Sequence, residues 1–126
     1  MEKLITVAEV DPFDATARRA RLTEAERKDL TDFLAANPEA GELIKETGGL
    51  RKARWATNDA GKHGGKSGGY RVIYYFFNEE FPIYMLSIYP KNQQVDLTPE
   101  QKKRLTKLAG ELKAAAKAVV KKRSVR

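Results

Sequence analysis

A chain of 126 residues with 41% apolar content can bury one core without covalent staples, so one domain over residues 1–126 is expected. It has no cysteine and a single histidine, His63, which excludes a disulfide framework, thiolate zinc sites and thiol nucleophiles and leaves a His-built metal site or triad without parts. The net charge of +7 is unevenly spread, at −4 over residues 1–50, +4 over 51–92 and +9 over 101–126, a polarity that suits a polyanionic partner, most simply nucleic acid.

The N-terminal MEKLITVAEVDPFD is acidic and lacks a signal-peptide profile. No apolar run approaches the ~20 residues that span a bilayer. A soluble, cytoplasmic protein is the expectation.

In chain order, Leu4–Val7 reads as a short strand. Thr23 and Glu26 form a Thr-x-x-Glu capping box, and Leu30, Phe33 and Leu34 give the helix that follows an apolar stripe. Asn37-Pro38 stops that helix and predicts a second short one, capped by Asn37, with Leu43 and Ile44 on its buried side. Gly48-Gly49 ends the helical half.

From residue 50 the pattern alternates. Leu50, Lys52, Arg54 and Ala56 share one face of a strand, with Arg51, Ala53 and Trp55 on the other and Trp55 in the core. Residues 57–69 are a glycine-rich cationic loop holding Lys62, His63 and Lys66, with His63 exposed. YRVIYYFF (70–77) is the strongest strand, being β-branched and aromatic throughout. Asn78-Glu79-Glu80 turns the chain, PIYMLSIY (82–89) returns antiparallel, and Pro90 is expected to block the ladder.

Thr98-Pro99-Glu100-Gln101 is a second capping box with proline at the first helical position. It opens a long lysine-rich helix with Leu105, Leu108, Leu112, Ala116 and Val119 as its stripe, of which about residues 111–126 form a basic extension. The expected class is α+β: a small antiparallel or mixed sheet of about four strands, packed against two N-terminal helices and a C-terminal one, with the helices on one face.

The polar groups outside the helices are mostly Lys, Arg, Tyr and Ser. Such a set suits a phosphodiester, because cations stabilise the extra charge of a pentavalent phosphate and a lysine or tyrosine can exchange protons. RNA fits best, since its 2′-hydroxyl supplies an internal nucleophile. If the 70–77/82–89 hairpin pairs residues whose numbers sum to 160, Arg71 lies opposite Tyr89; a one-residue slip separates them.

Four short motifs in order, Gly48-Gly49-Leu50-Arg51-Lys52-Ala53-Arg54-Trp55, Gly65-Lys66-Ser67-Gly68-Gly69-Tyr70-Arg71-Val72-Ile73-Tyr74-Tyr75, Ile88-Tyr89-Pro90-Lys91-Asn92 and Asp96-Leu97-Thr98, resemble the RelE/HigB branch of type II toxins over roughly residues 22–110. The resemblance implies a RelE-like microbial RNase-type fold and metal-independent, cofactor-free cleavage of mRNA in the ribosomal A site. The RNA 2′-hydroxyl would attack the adjacent phosphate, as in a ribosome-dependent mRNA interferase.

Carried over by position, Arg71 would stabilise the phosphate's charge. Lys52, Arg54 or Lys91 would steady the phosphate or the leaving group, and Tyr89 or a lysine would handle the proton or stack on a base. Lys66, Lys62, Arg51 and Asn92 would contact RNA. A cognate helix-turn-helix antitoxin and ribosomal RNA are the implied partners, the toxin being monomeric alone and heteromeric with its antitoxin. The family often has Lys-Arg-Gly-Gly where this chain has Lys66-Ser67-Gly68-Gly69, so one cation is absent at Ser67.

The alternative is a non-catalytic protein on the same scaffold, either a gyrase-directed ParE-like toxin or an RNA-binding module. The co-occurrence of Lys52, Arg54, Arg71, Tyr89 and Lys91 favours the nuclease.

Overall fold

The computed structural model describes residues 5–56 and 69–124, with side chains to Val119. The elements run β1 (Val7–Glu9), α1 (Asp11–Arg19), α2 (Glu24–Ala36), β2 (Glu42–Leu43), β3 (Leu50–Trp55), β4 (Tyr70–Tyr75), β5 (Ile83–Pro90) and α3 (Pro99–Ser124). They form an α+β fold around a mixed five-stranded sheet of order β1-β5-β4-β3-β2, in which β1 runs parallel to β5 and the other pairs are antiparallel. The sheet thus has one strand more than expected.

Helices cover both faces of the sheet, not one. Phe13 and Ala17 of α1 and Leu30 and Leu34 of α2 pack with Ala53, Trp55, Val72, Tyr74, Met85 and Ile88 on one side. On the other, Leu105 and Ala109 of α3 pack with Leu50, Ile73, Tyr75, Leu86 and Tyr89. The reason is visible in β4, whose six residues are all buried. A strand that is apolar or aromatic without alternation needs both faces covered.

The first strand forms at Val7–Glu9 rather than at 4–7, with Leu4 outside the described residues. Residues 11–19, assigned no element from sequence, are helical. Proline stands in the first turn, Asp11 and Asp14 are at the start, and Arg18 and Arg19 are at the end, where each sign suits the helix dipole. The capping box of α2 is present in full, with the Glu26 N–H donating to Thr23 Oγ1 at 3.1 Å and the Thr23 N–H to Glu26 Oε1 at 2.8 Å.

No helix follows Asn37-Pro38. Asn37 closes α2 instead, and residues 42–43 pair with Arg51 and Lys52 as edge strand β2. Tertiary partners claim the backbone groups a helix would have used: the Gly41 N–H donates to the Tyr74 hydroxyl at 2.8 Å and the Gly41 carbonyl accepts from Arg51 Nη1 at 2.7 Å. The Tyr74 hydroxyl in turn donates to the Pro38 carbonyl at 2.8 Å. Leu43 is consequently 62% exposed rather than buried.

The 70–77 strand ends at Tyr75, and the returning strand includes Pro90, which pairs with Tyr70. The ladder runs on past the proline, because the Lys91 N–H donates to the Gly69 carbonyl at 3.1 Å. At a non-hydrogen-bonded pair the position's own N–H points away from β4, so none is needed there. The 160 sum holds from Tyr70 to Ile73, but Tyr74 pairs with Met85 and Tyr75 with Tyr84, one residue out of step at a bulge around Leu86.

The α3 cap forms as expected, with the Gln101 N–H donating to Thr98 Oγ1 at 3.1 Å and the Thr98 N–H to Gln101 Oε1 at 2.9 Å. Burial along its stripe fades after Ala109, and Val119 is exposed. Lys113 and Lys117 carry the helix onward, their ammonium groups 4.4 and 5.2 Å from the Phe77 ring centre.

Candidate functional site

The ladder fixes the placement of the cations. β4 lies between β3 and β5, and in one row across the three strands Arg54 pairs with Arg71 and Arg71 with Tyr89. Cross-strand partners share a face, so all three point to the side covered by α3. The next row on that face brings Lys52 opposite Ile73. Lys91 follows directly after β5. Lys52, Arg54, Arg71 and Lys91 line one open cavity of ≈ 470 Å³, together with the acidic residues Asp96 and Glu42.

Arg71 is only 7% exposed, because it sits mid-sheet with a strand on either side. Its Nη1 reaches the Tyr70 carbonyl at 3.4 Å. Two arginines at one cross-strand pair concentrate positive charge there, which an anion would offset. With Lys52 and Lys91, they make four basic residues against two acidic ones in the lining of the cavity.

Tyr89 is also 7% exposed, and its hydroxyl lies 3.5 Å from the Val95 carbonyl. Burial pushes its pKa up to about 12; the Asp96 carboxylate adds to the rise and Arg71 opposes it. Tyr89 therefore keeps its proton throughout the neutral range.

Asp96 is the residue that sequence reasoning did not single out. Its carboxylate is ion-paired with Lys52 Nζ, and that hydrogen bond, then the ammonium's charge, holds its pKa below the usual carboxylate range. The loop carrying it is braced at the start of α3, where Gln94 Nε2 donates to the Asp96 carbonyl at 2.8 Å and to the capping Gln101 Oε1 at 2.7 Å. The motif Asp96-Leu97-Thr98 was the available signal; the pairing across 44 residues was not.

The structure does not bring every candidate together. Arg51 lies on the opposite face of β3, bound to the Gly41 carbonyl and 3.7 Å from Glu39. Asn92 lines a separate cavity on the far side of Pro90. Lys62 and Lys66 lie outside the described residues, as does His63. Trp55 is buried against Tyr70, with ring centres 5.7 Å apart. Among the described residues no group of three or more His, Cys, Asp or Glu could hold a metal ion, and no helix is long and apolar enough to cross a membrane.

The sequence was compared with models of known families. The model described as "RelE toxin of RelE / RelB toxin-antitoxin system" matches residues 13–124. That span takes in α1 from Phe13 onward, α2, α3 and β2 to β5, so it covers most of α1 and the far half of α3, which the motif resemblance did not reach. With a RelE-like α+β architecture and a match over most of its length, the chain belongs to the RelE toxin family and is the toxin of a toxin–antitoxin system.

Proposed function

We propose that the protein is a metal-independent endoribonuclease that cleaves mRNA on the ribosome and is inhibited by its cognate antitoxin, within the HigB-like branch indicated by its motifs. The observation that carries this reading is the row Arg54–Arg71–Tyr89, whose two arginines line a cavity that also collects Lys52 and Lys91. In the reaction the 2′-oxygen of RNA bonds to phosphorus and the bond to the 5′-oxygen breaks. The 2′-hydroxyl loses its proton and the departing 5′-oxygen gains one.

Arg71, held still by the sheet, meets the charge that builds on the phosphate, and Arg54 approaches it from the neighbouring strand. Tyr89 enters the reaction protonated, which suits it to donate a hydrogen bond or a proton to the phosphate or the leaving oxygen. Lys52, released from Asp96, and Lys91 add positive charge at the rim. A helix-turn-helix antitoxin inhibits by covering this cavity, and the phosphate contacts make ribosome binding fall steeply with salt.

Primer extension on mRNA from cells expressing the wild type or Arg71→Ala, with and without the antitoxin gene, tests the proposal. New 5′ ends within translated messages should appear with the wild type alone and vanish with the antitoxin. Equal cleavage by Arg71→Ala, or none by the wild type, overturns it.

A further inference from the structure

Behind the row of Arg54, Arg71 and Tyr89, on the face covered by α1 and α2, a second cavity of ≈ 360 Å³ opens at the same end of the sheet. Arg19, Arg21, Asn92 and Gln93 line it over Tyr70 and Pro90, with no carboxylate among the lining residues. Both arginines are exposed, and neither is ion-paired with a described residue.

Arg21 is there at a conformational cost. The end of α1 is a Schellman turn, in which the Leu22 N–H bonds the Ala17 carbonyl and the Arg21 N–H the Arg18 carbonyl, both at 3.0 Å. Its left-handed position, normally glycine, is filled by Arg21 at φ 62°. A bulky residue kept where glycine is easier points to a use for its side chain.

The two cavities share the end of the β4–β5 ladder. Tyr70 and Arg71 are neighbours facing opposite ways, and Lys91 lines one cavity while Asn92 lines the other. The Lys91–Asn92 turn is thus the place where a single extended chain would pass from the first cavity to the second.

We infer that Arg19 and Arg21 form a second anion subsite, which binds the backbone phosphate of a nucleotide flanking the scissile one, with the Asn92 and Gln93 amides facing its sugar or base. The identity of the ligand rests on the proposed RNA cleavage. The chemistry is that of two guanidinium forks on one phosphate, with amides that both donate and accept.

The probe is a 2′-O-methyl oligouridylate of about ten nucleotides, which offers phosphates but no free 2′-hydroxyl to attack with. Its binding to the wild type and to the pair Arg19→Ala, Arg21→Gly is measured across a salt series. The variant should bind about tenfold more weakly at low salt, with the salt slope smaller by about 0.7 for the lost phosphate contact. The single change Arg21→Gly should give an equal or higher melting temperature, because glycine relieves the left-handed strain.

Unchanged affinity and slope overturn the subsite, as does a wild type that does not bind the probe. A fall in melting temperature with Arg21→Gly alone overturns the reading of Arg21 as strained for its side chain. Weakened antitoxin binding with RNA binding intact assigns the surface to an acidic protein segment and overturns it as well. Because the probe cannot be cleaved, a wild type that fails to cut mRNA sinks the catalytic proposal alone.

Discussion

Arg54 and Arg71 are direct cross-strand partners, so two basic residues share a pair where a sheet ordinarily sets a complementary or apolar one. Replacing Arg71 by alanine removes the charge that the proposed reaction needs. Cleavage of ribosome-bound mRNA should fall ~100-fold or more, while antitoxin copurification and the circular dichroism spectrum stay those of the wild type. A variant that cuts at the wild-type rate would remove Arg71 from the mechanism.

Lys52 offers a phosphate less charge and fewer donors while it is paired with Asp96. Asp96→Asn should free it, raising affinity for the uncleavable RNA about two- to fivefold, within the range of exposed ion pairs. In steady-state cleavage the gain should appear in KM, with kcat little changed. Weaker RNA binding by this variant would show that Asp96 supports the ligand rather than competes with it.

Tyr89 sets a pH signature. Its pKa is raised to about 12, first by burial, against an unfolded value near 10. The folded state thus binds more protons than the unfolded one between these limits, and the associated stability, present below about pH 10, is lost as pH rises toward 12. Denaturant unfolding followed from pH 9 to 12 should show this loss, and Tyr89→Phe should reduce it. The same variant should lower kcat about 100-fold at neutral pH if the hydroxyl donates a proton; an unaltered kcat would leave Tyr89 a packing residue.

Tyr74 ties β2 to the sheet by bridging the Gly41 N–H and the Pro38 carbonyl. Tyr74→Phe leaves both groups without that partner and should cost about 1–3 kcal/mol in urea unfolding. The Glu42–Leu43 edge should then lose amide protection first. Amide exchange unchanged in residues 38–43 would mean that the bridge does not hold the edge.

What could be read in advance follows local physics. The two capping boxes are short-range hydrogen-bond patterns, and both form. The alternation from Leu50 to Trp55 sorts Lys52 and Arg54 from Ala53 and Trp55 on sight, whereas the sequence leaves the hairpin register open, and the structure selects the one that sets Arg71 opposite Tyr89. The misses are places where distant partners decide. Residues 38–43 carry helix signals, yet Tyr74 and Arg51 take their backbone groups. Arg51 stands beside Lys52 in the chain but on the other side of the sheet, and the Asp96 ion pair depends on a loop braced by the cap of α3.

The bulge at Leu86 has a consequence for the parity of β5. On its turn-side half the odd-numbered Ile83 and Met85 face α1 and α2, whereas beyond the bulge the even-numbered Ile88 takes that side and the odd-numbered Tyr89 faces Arg71. One supernumerary residue thus changes the phase of the strand between its turn and its end. Counted in strict twos from Ile83, Tyr89 would have fallen in with the core under α1. The tyrosine reaches the arginine because the strand skips a beat three residues before it.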